Sequence, residues 1–159
     1  MKTNPDRDLL QFEGFTHQKA LLRTRIVPLW STKMSITVGD TVIPKGFLTD
    51  LASIPSPLWS LFSPWEFGVM ASIAHDFEYV TEYWGDPKTE RRTNWGAMVS
   101  VARQRADRLF YKRLRVDAPL SAIVWYLAVR QFGWIVWRHH TTGMVLAERQ
   151  RYGIPANIA

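Results

Sequence analysis

Cysteine is absent from this chain. A disulfide scaffold, a thiolate metal site, a cysteine nucleophile and a thiol redox centre are therefore excluded. Long uninterrupted apolar runs are also lacking. The nearest, Leu120 to Trp137, carries Arg130 and Gln131 near its middle, and a central arginine costs at least ~2.5 kcal/mol on insertion into a bilayer. That segment reads as a buried or surface-lying helix and not as a membrane span. No targeting segment is expected from Met1 to Leu10, which is polar and contains Asp6 and Asp8, unlike a signal peptide. There is no internal repeat, low-complexity run or linker, so one domain over residues 1–159 is expected.

What is present sets the class. The 159 residues are 47% hydrophobic and 21% charged, which excludes disorder as the dominant state and allows a core without staples. The formal net charge is +6. Such a balance favours an anionic partner, either nucleic acid or a lipid headgroup surface. Eight tryptophans lean toward membrane surfaces or large interfaces.

The pattern predicts an α+β fold, mostly helical, with a small N-terminal β hairpin region. Leu21 to Pro28 and Met34 to Pro44 are rich in β-branched residues. Gly39-Asp40 between Ile36-Thr37-Val38 and Thr41-Val42-Ile43 is a hairpin signal. Pro28 demotes the first strand to an edge or ends it. Turn formers crowd Gly46 to Pro57, implying an ordered loop, and Ser56-Pro57 can open a short helix to about Phe62. Three main helices and a short fourth follow. The first is expected from Pro64, capped by Ser63 with Glu66, to about Trp84. The second runs from after Thr89 to about Arg115, with Trp95, Met98, Val99 and Ala102 at helical spacing. The third spans Pro119 to about Trp137, and the fourth Thr142 to Arg151.

The segment His75-Asp76-Phe77-Glu78-Tyr79 is the most informative. On a helix His75 and Tyr79 lie one turn apart. Asp107 on the second helix has apolar flanks, Ala106, Leu109 and Phe110, which place it near a helix–helix seam. A buried carboxylate needs a partner, and the imidazole of His75 is the natural one. That pairing would fix the His75 tautomer and leave its other nitrogen to take a proton from water. Asp76 would then be available to a hard cation. A buried His–Asp bond that only ties two helices together uses the same residues. Asp50 is either a second pocket carboxylate or metal ligand, or a turn cap bonding the Ala52 or Ser53 amide. Ser53 has no visible base. Trp125, Phe132, Trp134 and Trp137 with Arg130 and Arg138 read first as a core helix and second as a membrane-surface helix. The basic residues from Arg103 to Arg115 read as a solvated face. Nucleic acid is not an expected partner, because no recognised binding motif accompanies the charge. His139-His140 is either a weak metal pair or, as the first reading, a helix-end pair that favours the dipole.

Three separated segments together resemble a phage and bacterial family, domain of unknown function family 1353. They are Gly46-Phe47-Leu48-Thr49-Asp50-Leu51-Ala52-Ser53-Ile54-Pro55, Ala74-His75-Asp76 with Tyr79, and Ala106-Asp107-Arg108. The resemblance covers about Val42 to Gly133. It implies a phage or prophage origin, phage virion or tail proteins as partners, and a place in the host cytoplasm or the assembled virion. A second resemblance carries chemistry: His-Asp-x-x-Tyr on one helix with a later Asp on another is similar to the phospholipase A2 pattern, including its parvoviral version. It implies His75 as the base that activates water, Asp76 as a calcium ligand, and Tyr79 and Asp107 as the residues that orient His75. The disulfides and the Gly-rich calcium loop of that pattern are absent. Gly46 to Pro57 is the segment left to replace that loop, with Asp50 adding a carboxylate and calcium as the implied cofactor. The His-Asp metal phosphohydrolase class would need a further upstream histidine, and His17 is the candidate. Two expectations follow: a hydrolase of an ester or phosphoester at a membrane surface, or a non-catalytic tail or virion component with a buried His–Asp network.

Overall fold

The computed structural model describes residues 8–19, 24–51, 68–81, 91–92, 98–99, 101–137 and 142–154. Its strands are β1 (Leu10–Lys19), β2 (Thr24–Thr32), β3 (Ile36–Val38), β4 (Thr41–Ile43) and β5 (Leu48–Thr49), with β6 (Arg91–Arg92) and β7 (Met98–Val99) after the first helix. The helices are α1 (Val69–Thr81), α2 (Val101–Asp117), α3 (Pro119–Trp137) and α4 (Thr142–Arg151). The fold is α+β and mostly helical, with small antiparallel sheets at the N-terminal end as the pattern predicts, and one further strand pair, β6–β7, between α1 and α2.

The β3–β4 hairpin forms where Gly39-Asp40 places it, with Ile36 opposite Ile43 and Val38 opposite Thr41. The strand expected at Leu21 to Pro28 is displaced. β2 passes through Pro28 to Thr32 and is the middle strand of a β1-β2-β5 sheet, not an edge. Pro28 is tolerated because β5 pairs only with Trp30 and Ser31, so at Pro28 the ladder runs on one side, opposite Phe15. β1 has no hydrophobic alternation to announce it. From Gln11 to Phe15 its side chains are mostly exposed, and its register shifts between Phe12 and Gly14. Backbone pairing with β2 holds it, helped by edge-on contacts of the Phe12 ring with Phe15 and Trp30 at 5.3 and 5.2 Å.

The first helix starts later than the Ser63-Pro64 signal implies. Gly68 has φ +80° and precedes α1, its carbonyl accepting the Ser72 N–H at 2.9 Å. A helix cannot run through that left-handed residue. Residues 52–67 and 82–90, with the Ser56 and Ser63 caps and the expected end near Trp84, lie outside the described residues. The second helix is also shorter than expected. Met98 and Val99 pair with Arg92 and Arg91 as β7 and β6, and α2 begins at Val101. Thr93, Asn94 and Gly96, just upstream in sequence, are poor helix formers. The bounds of α3 and α4 agree with the sequence expectation.

α1 lies between two apolar clusters. One joins it to the strands through Ile36, Ile43, Phe47, Val69, Ile73 and Phe77. The other joins Ala71 to Phe110 and Leu114 of α2 and to Ala122, Trp125 and Val129 of α3. Tyr152, just past α4, packs edge-on against Phe47 and Phe77, and Arg149 donates to the Thr81 carbonyl at 2.9 Å. That bond satisfies a carbonyl at the C-terminal end of α1 and sets a cation at its negative pole.

Candidate functional site

α1 is buried along nearly its whole length. A helix so enclosed is ordinarily apolar all round, yet α1 carries His75, Asp76, Glu78 and Tyr79 in one turn. Each therefore needs a partner, and each finds it in another element. His75 and Tyr79 turn toward α2. His75 Nε2 lies 3.1 Å from Asp107 Oδ1, and the Tyr79 hydroxyl donates to the same oxygen at 2.6 Å. The other oxygen, Oδ2, accepts from Arg130 Nη1 of α3 at 3.0 Å. His75 is 2% exposed and Asp107 0%.

The carboxylate can only accept, so Nε2 carries the proton shared with Asp107. Nδ1 lies on the other side of the ring, away from Asp107. The imidazole is held between the Tyr79 ring, 4.2 Å away centroid to centroid, and the Phe110 ring at 4.7 Å. Burial by itself pushes the Asp107 carboxyl up. Hydrogen bonds from His75, Tyr79 and Arg130, with the electrostatic attraction of His75, outweigh it and hold the group below the ordinary aspartate value. Burial and the adjacent Asp107 push the Tyr79 hydroxyl well above an ordinary phenol.

Asp76 faces the strand side, where the Thr49 hydroxyl donates to its Oδ2 at 2.5 Å. Thr49 Oγ1 also accepts the Leu51 N–H at 3.2 Å, and Leu51 takes a left-handed φ of +52°. Thr49 is thereby held beside α1, with half-buried Asp50 next to it in the chain. The Ala52 and Ser53 amides proposed for an Asp50 cap lie outside the described residues. Among the described residues no group of three or more His, Asp or Glu side chains is placed to hold a metal ion. His17 sits on β1 opposite Ile26. His139 and His140 are outside the described residues.

Sequence reasoning missed Arg130 and Gly133. Arg130 counted as an obstacle to membrane insertion and as a basic flank of its helix, not as a partner of Asp107. Its position in an otherwise apolar helix was the usable signal, because such a charge needs a counter-ion. Gly133 is buried where α3 approaches Tyr79: a Cβ there would lie 2.7 Å from the Tyr79 hydroxyl oxygen. Trp125 is a core residue at 2% exposure, in line with the first of the two readings of its helix.

The profile of a family of proteins of unknown function, DUF1353, matches residues 29–129. It begins upstream of Val42, takes in the last four residues of β2, and ends short of Gly133. No curated protein and no solved structure matches the chain.

Proposed function

The chain belongs to the DUF1353 family, whose name leaves function open, and we propose from its α1–α2 pair that it is a His/Asp-dependent hydrolase of an ester or phosphoester, phospholipase-like and working at a membrane surface. One observation carries this reading. His75 and Tyr79, one helical turn apart, converge on a single oxygen of Asp107, which is the arrangement the phospholipase A2 resemblance implies. Asp107 orients the ring and stabilises the imidazolium that forms. His75 Nδ1 accepts a proton from water as the oxygen of that water attacks the ester carbon or phosphorus, then returns the proton to the departing oxygen. Tyr79, held neutral by its surroundings, keeps Asp107 in place without competing for the proton.

Calcium takes six to eight oxygen ligands. The Thr49 hydroxyl bonds Asp76 and Asp50 follows Thr49 in the chain, but the described residues do not by themselves complete such a shell, and no step above passes through the ion. It enters the test as a variable. The wild type and His75→Gln are assayed on phospholipid vesicles and on a soluble aryl ester, with calcium and with chelator. The wild type should hydrolyse a substrate, and His75→Gln should lose roughly two to four orders of magnitude of rate while its melting temperature stays close to the wild type.

A second reading has its own support. His75 and Asp107 are nearly sealed from solvent, as suits a polar bond tying α1 to α2 in a non-catalytic phage tail or virion component. Wild-type inactivity on every substrate, with or without calcium, together with a destabilised His75→Gln, would establish that reading in place of the first.

A further inference from the structure

Helix α3 is apolar on both sides. Its inner side is core, through Ala122, Trp125 and Val129. Its outer side presents Leu120, Ile123, Val124 and Leu127 to solvent, with Leu120 92% and Leu127 54% exposed. These positions follow the spacing of one helical face, and exposed Val116 at the end of α2 precedes them across the turn at Ala118. A helix hydrophobic all round belongs in a large interior or against an apolar phase, and a contiguous exposed apolar row marks an interaction surface.

The charge beside it indicates which phase. On α2, Arg105, Arg108, Lys112 and Arg115 are all exposed and recur at helical spacing. This basic row ends at the turn from which the apolar row starts. A second copy of the chain would bring another net charge of +6 to the same place, where like charges repel. An anionic bilayer supplies phosphates for the basic row and acyl chains for the apolar one. No helix among the described residues is long and apolar enough to cross a membrane, so the helix would lie in the interface.

We propose that the α2–α3 hairpin docks on an anionic phospholipid surface, with Leu120, Ile123 and Leu127 inserted at the headgroup boundary and Arg105, Arg108, Lys112 and Arg115 on the phosphates. The proposal deepens the hydrolase reading by naming the face that meets lipid. Docking is measured without turnover, so the two stand or fall separately.

The test is co-sedimentation of the full chain with vesicles of phosphatidylcholine alone or of phosphatidylcholine with phosphatidylglycerol. The wild type and His75→Gln should both bind the anionic vesicles, more weakly as salt rises. Leu120→Asp, Ile123→Asp and Leu127→Asp combined should weaken binding at least about tenfold with the helical circular dichroism unchanged. Glutamine at the four basic positions should abolish the preference for the anionic vesicles. Absence of sedimentation with either vesicle, or binding unchanged in both variants, overturns the proposal. A wild-type dimer that the triple variant dissociates, without lipid binding, assigns the face to a second copy instead.

Discussion

At the scale of single residues, Asp107 is the group on which the others depend. It is fully buried and ionised, with three donors on two oxygens. Its folded value lies below the ordinary one, so the stability it contributes is complete above the unfolded carboxyl range and disappears as pH falls through the folded value. Tyr79 has the opposite sign. Its folded value is raised, so its contribution is complete below the ordinary phenol range and declines as pH rises past about 10. Urea melts across pH should therefore show a loss of stability below about pH 4 that is smaller in Asp107→Asn. That variant should also be less stable at pH 7 by about 1–3 kcal/mol. The lower part of the range is expected for its Arg130 arm, because Arg130 is a quarter exposed and water can replace part of that contact. An acid slope identical in variant and wild type would assign the titration to another carboxyl.

At the scale of elements, the legible parts of the fold were those in which local chemistry and packing agree. The β3–β4 turn, the Pro119 start of α3 and the seam position of Asp107 between Ala106 and Phe110 are all of this kind. β1 was not legible, because its order comes from pairing with β2 and its exposed phenylalanines break alternation. The start of α1 was masked by a strong cap signal at Ser63-Pro64, while the deciding residue, Gly68, is set by tertiary packing: a Cβ there would collide with the Leu114 side chain. The His75–Asp107 pair was legible from burial logic. The donor from α3 was not, since nothing local in sequence says that α3 crosses Asp107. Gly133 belongs to the same long-range geometry and offers a test of it. Gly133→Ala removes no site atom and suits a helix better than glycine by roughly 0.5–1 kcal/mol. Its methyl would nonetheless displace the Tyr79 hydroxyl from its 2.6 Å bond to Asp107. The variant should therefore be less stable than the wild type by about 1–3 kcal/mol, and Tyr79→Phe should relieve part of that cost when combined with it. A stabilised Gly133→Ala in chemical denaturation would show that α3 and Tyr79 are further apart than described.

At the scale of the whole molecule, α1 is the element that the two apolar clusters share, and its polar side chains tie it outward in three directions. Asp76 reaches Thr49 of β5, and His75 and Tyr79 reach Asp107 of α2. Glu78 accepts from Thr41 of β4 at 2.8 Å and from Arg113 of α2 at 2.7 Å. Arg113 Nη2 also donates to the Thr41 hydroxyl at 2.8 Å, so strand, central helix and second helix meet at one guanidinium. Neither cluster can open without stripping partners from α1, and buried polar atoms left in that state are costly. The strand cluster and the helical cluster should therefore unfold together. Phe47→Ala in the first and Phe110→Ala in the second each remove a ring that is nearly inaccessible to water, at a cost of about 3–5 kcal/mol. For a chain of this length each change should lower the melting temperature on the order of ten degrees. The whole transition should move in both cases, with far-ultraviolet dichroism and tryptophan fluorescence reporting one midpoint. A Phe47→Ala protein in which the helical signal melts at the wild-type temperature after the strands have already opened would mean that α1 is held by the helices alone. The Thr49–Asp76 and Thr41–Glu78 bonds would then contribute little to binding the sheet to the helices.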